Sequence, residues 1–332
     1  MKESGNVAAP PTVSTPAVAD WAAKYAGGAR EVYRKTLQEL AERDARIWCV
    51  DSDTGNFEDT FATALPGQYV NLGIAEANLM SVAAALAAAG KIPFVNTMAT
   101  FATGRAFEQI KLDVAYNNVP VKIVGTHGGT SAGHLGPTHQ ALEDLALMRV
   151  LPNMTVMVPA DAAEAAKAVE KAAYLPGPVY IRLDRKATPV VYDQDYDFVP
   201  GQAVTLLSGR DVTIVATGAY PVVFALEAAR RLTDLGVSVR VLNVHTLKPL
   251  DVEAVGRAAR ETRGLVTVED HSVIGGLGSA VAEAVAEHCP APVRRVGVRD
   301  RFCDQVGGHL ELLAACEVTP ERVMADALAL CR

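Results

Sequence analysis

Apolar residues along the chain follow two patterns that take turns. One is the short unbroken run, seen at Ile47-Trp48-Cys49-Val50, Ile92–Asn96, Val121–Gly125, Thr155–Val158 and Pro178–Leu183. Runs of this length without alternation suit strands buried on both faces of a parallel sheet. The other pattern is helical. It predicts helices over Arg30–Arg43, from Glu76 through the alanine-rich Leu79–Gly90, from about Gly104 to Tyr116, through Leu145 and Met148, and over Ala162–Ala173. Asp161 is placed to cap the last of these. A further strand is expected at Tyr69–Leu72, a polar turn at Asp51–Gly55, and a long glycine-rich loop at His127–His139. The alternation then restarts, with strands at Val212–Thr217, Ser238–Val244, Gly264–Glu269 and Val293–Val298. Helices at Pro221–Leu235, Asp251–Arg260 and Gly278–Glu287 separate them, and helices at Leu310–Ala315 and Pro320–Leu330 follow. Such a series predicts an α/β fold of two domains, a doubly wound, mostly parallel sheet followed by a smaller α/β domain.

The expected division is a flexible leader over 1–27, a first domain over 28–190, a linker carrying a short strand over 191–210, and a second domain over 211–332. The length of 332 residues agrees, because it exceeds what one core usually serves. Composition adds mainly exclusions. The formal charge is −7 with no dense Lys/Arg stripe, which argues against a nucleic-acid partner. Cys49, Cys289, Cys303, Cys316 and Cys331 form no Cys-x-x-Cys pair, so free thiols in a reducing compartment are expected rather than a zinc site. The N-terminus has no apolar signal core, and the longest apolar run, around Ser81–Ala89, is too short to span a bilayer. A cytoplasmic protein without a membrane partner is expected.

Candidate chemistry centres on Asn71–Asn78, Asn-Leu-Gly-Ile-Ala-Glu-Ala-Asn, which brings Glu76 to the start of an apolar helix. None of the next fourteen residues carries a charge to pair with it. Two readings are open. Glu76 is a first-turn carboxylate favoured by the helix dipole, or it is a carboxyl held neutral by burial and donating to a ligand nitrogen. The loop Thr126–Gln140 carries three histidines and four glycines after an apolar strand, which points to a substrate or cofactor loop. Its histidine spacing fits no common zinc pattern. Phe101 follows a strand end, Arg105 lies at a helix start, and Arg182 and Arg185 flank Asp184 at the exit of the last strand of the first sheet, where a guanidinium can clamp a phosphate. Gly275-Gly276-Leu277-Gly278 is a weak phosphate-loop match.

These motifs resemble the C-terminal half of transketolase, as found in split transketolases. The resemblance rests on Asn71–Asn78, on Gly136-Pro137-Thr138-His139-Gln140, and on Pro152-Asn153-Met154 with Val158–Asp161. It continues in Thr246–Asp251 and in Glu269-Asp270-His271 followed by Gly275-Gly276, and it covers nearly everything from about residue 28. It implies a pyrimidine-binding domain followed by a transketolase C-terminal domain, with thiamine diphosphate as cofactor. The family's Gly-Asp-Gly motif, which holds Mg²⁺ and the diphosphate, does not occur in this chain. An α-type partner subunit is therefore expected to supply it, in an α₂β₂ assembly.

Carried over residue by residue, Glu76 would hydrogen-bond the cofactor's pyrimidine nitrogen and Phe101 would stack on the ring, with Met98 and Arg105 near the cofactor. His127 and His139 would move protons at substrate hydroxyls. Arg185 and Arg30 would hold an acceptor phosphate. His134 and Leu135 stand where sugar-phosphate transketolases usually read Glu-Asp. The family aspartate accepts a hydrogen bond from a sugar hydroxyl, which Leu135 cannot do, so a less hydroxylated or altered sugar is expected. Met98 and Gly104 also sit where the family often has aromatic residues around the pyrimidine. Two other readings remain beside this one, a β subunit of a 2-oxo acid dehydrogenase and a non-catalytic transketolase-like scaffold.

Overall fold

The computed structural model describes residues 28–192 and 196–332; the leader expected over 1–27 lies outside the described residues. Elements α1 (Ala29–Arg43), β1 (Ile47–Asp51), β2 (Tyr69–Asn71), α2 (Glu76–Ala88) and β3 (Ile92–Met98) come first. A helical segment, α3, then runs through Phe101–Arg105, Phe107–Gln109 and Ile110–Tyr116. It is followed by β4 (Lys122–Thr126), α4 (Asp144–Val150), β5 (Thr155–Met157), α5 (Ala162–Tyr174) and β6 (Val179–Arg182). The second unit comprises β7 (Val204–Leu207), β8 (Val212–Ala216), α6 (Ala219–Asp234), β9 (Val239–Asn243), β10 (Thr246–Lys248) and α7 (Val252–Glu261). It ends with β11 (Leu265–Ser272), α8 (Leu277–His288), β12 (Val293–Val298), α9 (His309–Ala315) and α10 (Pro320–Cys331).

The first sheet has seven strands in the order β10-β5-β6-β4-β3-β1-β2, parallel except for β10. The second has five, β12-β11-β8-β9-β7, parallel except for β7. The two-domain α/β fold with mostly parallel sheets is thus present. The unexpected strand is β10, three residues from the second unit that pair antiparallel with β5 and extend the first sheet. The described parts of the connector, 191–192 and 196–210, are well packed: Val191, Tyr192 and Phe198 are buried, and β7 forms the edge of the second sheet.

Helices α1 and α5 cover one face of the first sheet, over a core that includes Tyr33, Leu37, Cys49, Phe94 and Val169. The core on the other face runs without a break from Leu79, Met80 and Val95 to Val255, Leu277 and Val281 of the second unit. The two units therefore bury one continuous apolar core, which fixes the second unit against the carboxyl ends of the first sheet's strands. Asp161 caps α5 as expected, accepting from the Glu164 amide at 2.8 Å. The helix expected from Gly104 begins earlier, and its π-type turn Phe101–Arg105 carries both Phe101 and Arg105. Among the described residues no helix is long and apolar enough to cross a membrane.

Candidate functional site

In open α/β sheets ligands bind beyond the carboxyl ends of the strands, and the residues singled out from the sequence converge there. Glu76 is the first residue of α2 and is 1% exposed. Although no nearby residue in the sequence carries a charge to pair with it, Arg105 Nη1 lies 2.6 Å from its Oε2. The partner comes from α3 across the fold, which explains why a search of the neighbouring sequence misses it. Glu76 Oε1 is buried and has no hydrogen-bond partner. The Arg105 guanidinium lies over the Phe101 ring, 4.5 Å from its centroid. The same ring meets His139 edge-on at 5.2 Å. Glu76, Arg105, Phe101 and His139 therefore form one contiguous group, with Met98, half-buried at the end of β3, on the neighbouring strand terminus.

His127 follows β4 directly. It is buried, has φ +61°, and its Nδ1 is 2.9 Å from the Thr126 hydroxyl. Burial first, and then the charges of Arg30, Arg185, His139 and His134, push its pKa down to about 4, so the ring is neutral at ordinary pH. These four charges come from α1 and from the loops that follow β4 and β6. Arg185 Nη1 lies 3.0 Å from His134 Nδ1, and His139 Nδ1 is 2.9 Å from the Thr138 hydroxyl. Leu135, 36% exposed, ends the 3₁₀ turn Thr130–Leu135.

Arg34 escaped the sequence reading, although its spacing of four from Arg30 puts both on one face of α1. Arg30 Nε and Arg34 Nε and Nη2 are buried without partners, and both side chains line a narrow cleft with Thr54, Thr97 and Thr126. Burial, and after it the charge of Arg30, lowers the pKa of Arg34.

The structure corrects two further expectations. The loop Thr126–Gln140 has structure of its own, a 3₁₀ turn closed at its base by paired backbone bonds between Gly129 and Ala141. Arg182 is unavailable to a phosphate. It is buried, 3.1 Å from Asp144, and donates to the carbonyls of Ala141 and Asp270. Gly275-Gly276, only a weak phosphate-loop match in the sequence, forms the turn into α8, where the Glu269 carboxylate accepts from the Leu277 and Gly278 amides. A Cβ at Gly276 would overlap that carboxylate. Among the described residues no group of three or more His, Cys, Asp or Glu side chains is arranged to hold a metal ion.

Comparison with known proteins gives this geometry a context. Residues 28–190 match the family model "Transketolase, pyrimidine binding domain" and residues 201–323 match "Transketolase, C-terminal domain". The 6-deoxy-6-sulfo-D-fructose transketolase subunit of Clostridium sp. (strain MSTE9) is 46% identical over 275 residues, 82% of this chain and 85% of that protein. An apulose-4-phosphate transketolase subunit of Phocaeicola vulgatus is 41% identical over 302 residues, 90% of this chain and 96% of that one. A solved structure described as a split gene transketolase, inactive β4 tetramer, is 47% identical with a TM-score of 0.83, covering 92% of this chain and 98% of its own.

Proposed function

The chain belongs to the transketolase family, and from that premise we propose that it is the β-type subunit of a thiamine diphosphate-dependent, two-subunit transketolase. It would transfer a two-carbon ketol unit from a ketose to an aldehyde. Gly-Asp-Gly does not occur in the sequence, so the reading assigns Mg²⁺ and the diphosphate to an α-type partner in an α₂β₂ assembly. The relative described as an inactive β4 tetramer supports the need for that partner.

The observation that carries the reading is Glu76. It is a buried carboxyl with one oxygen held by Arg105 and the other left without a partner, beside an aromatic ring. An orphaned buried polar atom costs about 1–3 kcal/mol, and a ring nitrogen of a flat heteroaromatic base would satisfy it, with one proton shared between the oxygen and that nitrogen. The residues present therefore fit the pyrimidine of thiamine diphosphate. Once bound, that cofactor supplies a thiazolium carbon that becomes nucleophilic on losing its proton. Glu76 would hydrogen-bond the pyrimidine nitrogen through Oε1, and Phe101 would offer its ring for stacking. His127 and His139, each with Nδ1 tied to a threonine hydroxyl, would keep Nε2 for exchanging protons with substrate oxygens.

Arg30, Arg185 and His134 would hold an anionic group on the ketose. The two curated relatives are named for ketoses that carry such a group, a sulfonate in one case and a phosphate in the other. Leu135 would leave a sugar hydroxyl without an acceptor, favouring a ketose that lacks one there. The test is to co-purify the chain with an α-type partner and assay ketol transfer for wild type and Glu76→Ala. A fall of about a hundredfold or more is expected; undiminished transfer would overturn the mechanism.

A further inference from the structure

The motif Glu269-Asp270-His271 lies in the second unit and has no part in the chemistry above, yet one of its side chains reaches the loop that carries His134, Leu135 and His139. We propose that Asp270, seated by His309, is the positioning residue that sets the shape of this loop, so that the second unit governs substrate selection in the first. The proposal rests on reading 127–141 as the substrate loop.

The geometry is close. Asp270 stands near the end of β11 and is 5% exposed. Its Oδ1 and Oδ2 accept from the Thr130 amide at 3.1 and 2.9 Å, and Oδ2 also accepts from the Thr130 hydroxyl at 3.2 Å. Thr130 opens the 3₁₀ turn, and the residue before it, Gly129, supplies no capping side chain. The free amides at the start of such a turn need an acceptor, and here the other unit provides it. His309, the first residue of α9, donates to Asp270 Oδ2 from Nε2 at 2.9 Å and is braced edge-on by Tyr220.

The backbone has been shaped to this surface. Gly129, at φ +59°, has no room for a Cβ because Asp270 occupies the space. A Cβ on Gly133, at φ +51°, would come within 2.7 Å of the Gly307 carbonyl oxygen. The Gln140 amide reaches the Gln305 carbonyl oxygen at 3.5 Å. Beyond the turn begin His134, Leu135 and the contact to Arg185. Moving Thr130 therefore moves the residues that face the sugar.

The pair also favours the charged form of each group. Burial pushes the Asp270 carboxyl up, but the bond from His309, the His309 and Arg182 charges and the Thr130 amide outweigh it and leave its pKa lowered. Burial works against a charged His309, but Asp270 and Asp184 outweigh it and leave its pKa raised.

A purely structural pair and a positioning pair make different predictions. The experiment uses the complex with the α-type partner and measures three quantities for wild type, Asp270→Asn, His309→Leu and His309→Gln. These are hydrogen exchange at the amides of Thr130–Leu135, thiamine diphosphate affinity, and the separate kcat and KM for a ketose phosphate. An asparagine keeps the volume of Asp270 but leaves one acceptor oxygen to serve both Thr130 and His309. Positioning predicts that Asp270→Asn and His309→Leu speed exchange at Thr130–Leu135 about tenfold or more. KM should rise about tenfold, the loss of roughly one cap hydrogen bond, with cofactor affinity nearly unchanged and any fall in kcat smaller than the rise in KM. His309→Gln keeps a donor and should recover part of both effects. Unchanged exchange and KM would overturn the proposal, as would a common fall of melting temperature, cofactor affinity and kcat. Should Asp270→Asn fail to fold, the two His309 variants decide the matter. If the wild-type complex transfers no ketol unit, the activity reading fails, while the exchange data still decide whether Asp270 positions the loop.

Discussion

Replacing Arg105 by methionine tests the account of Glu76 most directly. The guanidinium Nη1 is 2.6 Å from Glu76 Oε2. At an effective dielectric of about 20, unit charges that close attract by roughly 6 kcal/mol. That figure is an upper bound, because the Arg105 side chain is 49% exposed while that of Glu76 is fully buried. Exposed pairs contribute about 0–1 kcal/mol and breaking a buried pair costs about 3–5 kcal/mol. A half-exposed cation on a buried carboxylate belongs between them, at about 1–3 kcal/mol. Arg105→Met should lower the unfolding free energy of the chain by that amount, since both Glu76 oxygens are then without partners. In a Glu76→Gln background the same substitution should cost little. The assay is a double-mutant cycle by urea unfolding at neutral pH, from which the coupling energy follows. Equal costs of Arg105→Met in the two backgrounds would refute the reasoning and assign the effect to packing against Phe101.

Two further expectations follow from the same side chains. His127 has its pKa pushed down to about 4 from an ordinary value of 6.5, so the unfolded chain takes up a proton there before the folded one does. Its contribution to stability is complete above about pH 6.5 and is lost as the pH falls toward 4, up to about 3 kcal/mol in all. His127→Asn, which suits the left-handed backbone at φ +61°, should flatten the fall in stability over that window. Parallel wild-type and mutant curves would contradict the assignment. For Arg185→Met in the assembled complex, KM for a phosphate- or sulfonate-bearing ketose should rise about ten- to a hundredfold, the range of a charged hydrogen bond. KM for a neutral ketose should stay as it is; an equal rise for both would show that Arg185 does not bind the anion.

The parallel sheets were legible because their strands are unbroken apolar runs, a pattern that burial on both faces imposes on sequence. Strand β10 was not. Its three residues are too few to carry a period, and its pairing with β5 depends on how the second unit docks. Lys248 shows the same dependence: its ammonium donates to the carbonyl oxygens of Arg149 and Leu151 at the end of α4, about a hundred residues away in sequence. The start of this helix before Gly104 was missed for another reason. A π-type turn advances its side chains by a different angle from an α-helix, so a search at 3.6 residues starts the helix late.

The site follows the same division. Local chemistry was readable: histidines and glycines in one loop, a lone carboxyl at a helix start, and arginines at element ends. What decided their roles was pairing across the fold. Glu76 and Arg105 are 29 residues apart, and Thr130 and Asp270 are 140 apart. Arg182 and Arg185 look interchangeable in sequence. Yet Arg182 ends β6 inside the junction between the units, committed to Asp144 and two carbonyls, while Arg185, three residues on, reaches the loop and His134. That short step along the chain separates an arginine buried against both units from one that reaches the loop. The same junction ties the loop to the second unit through Asp270 and Thr130.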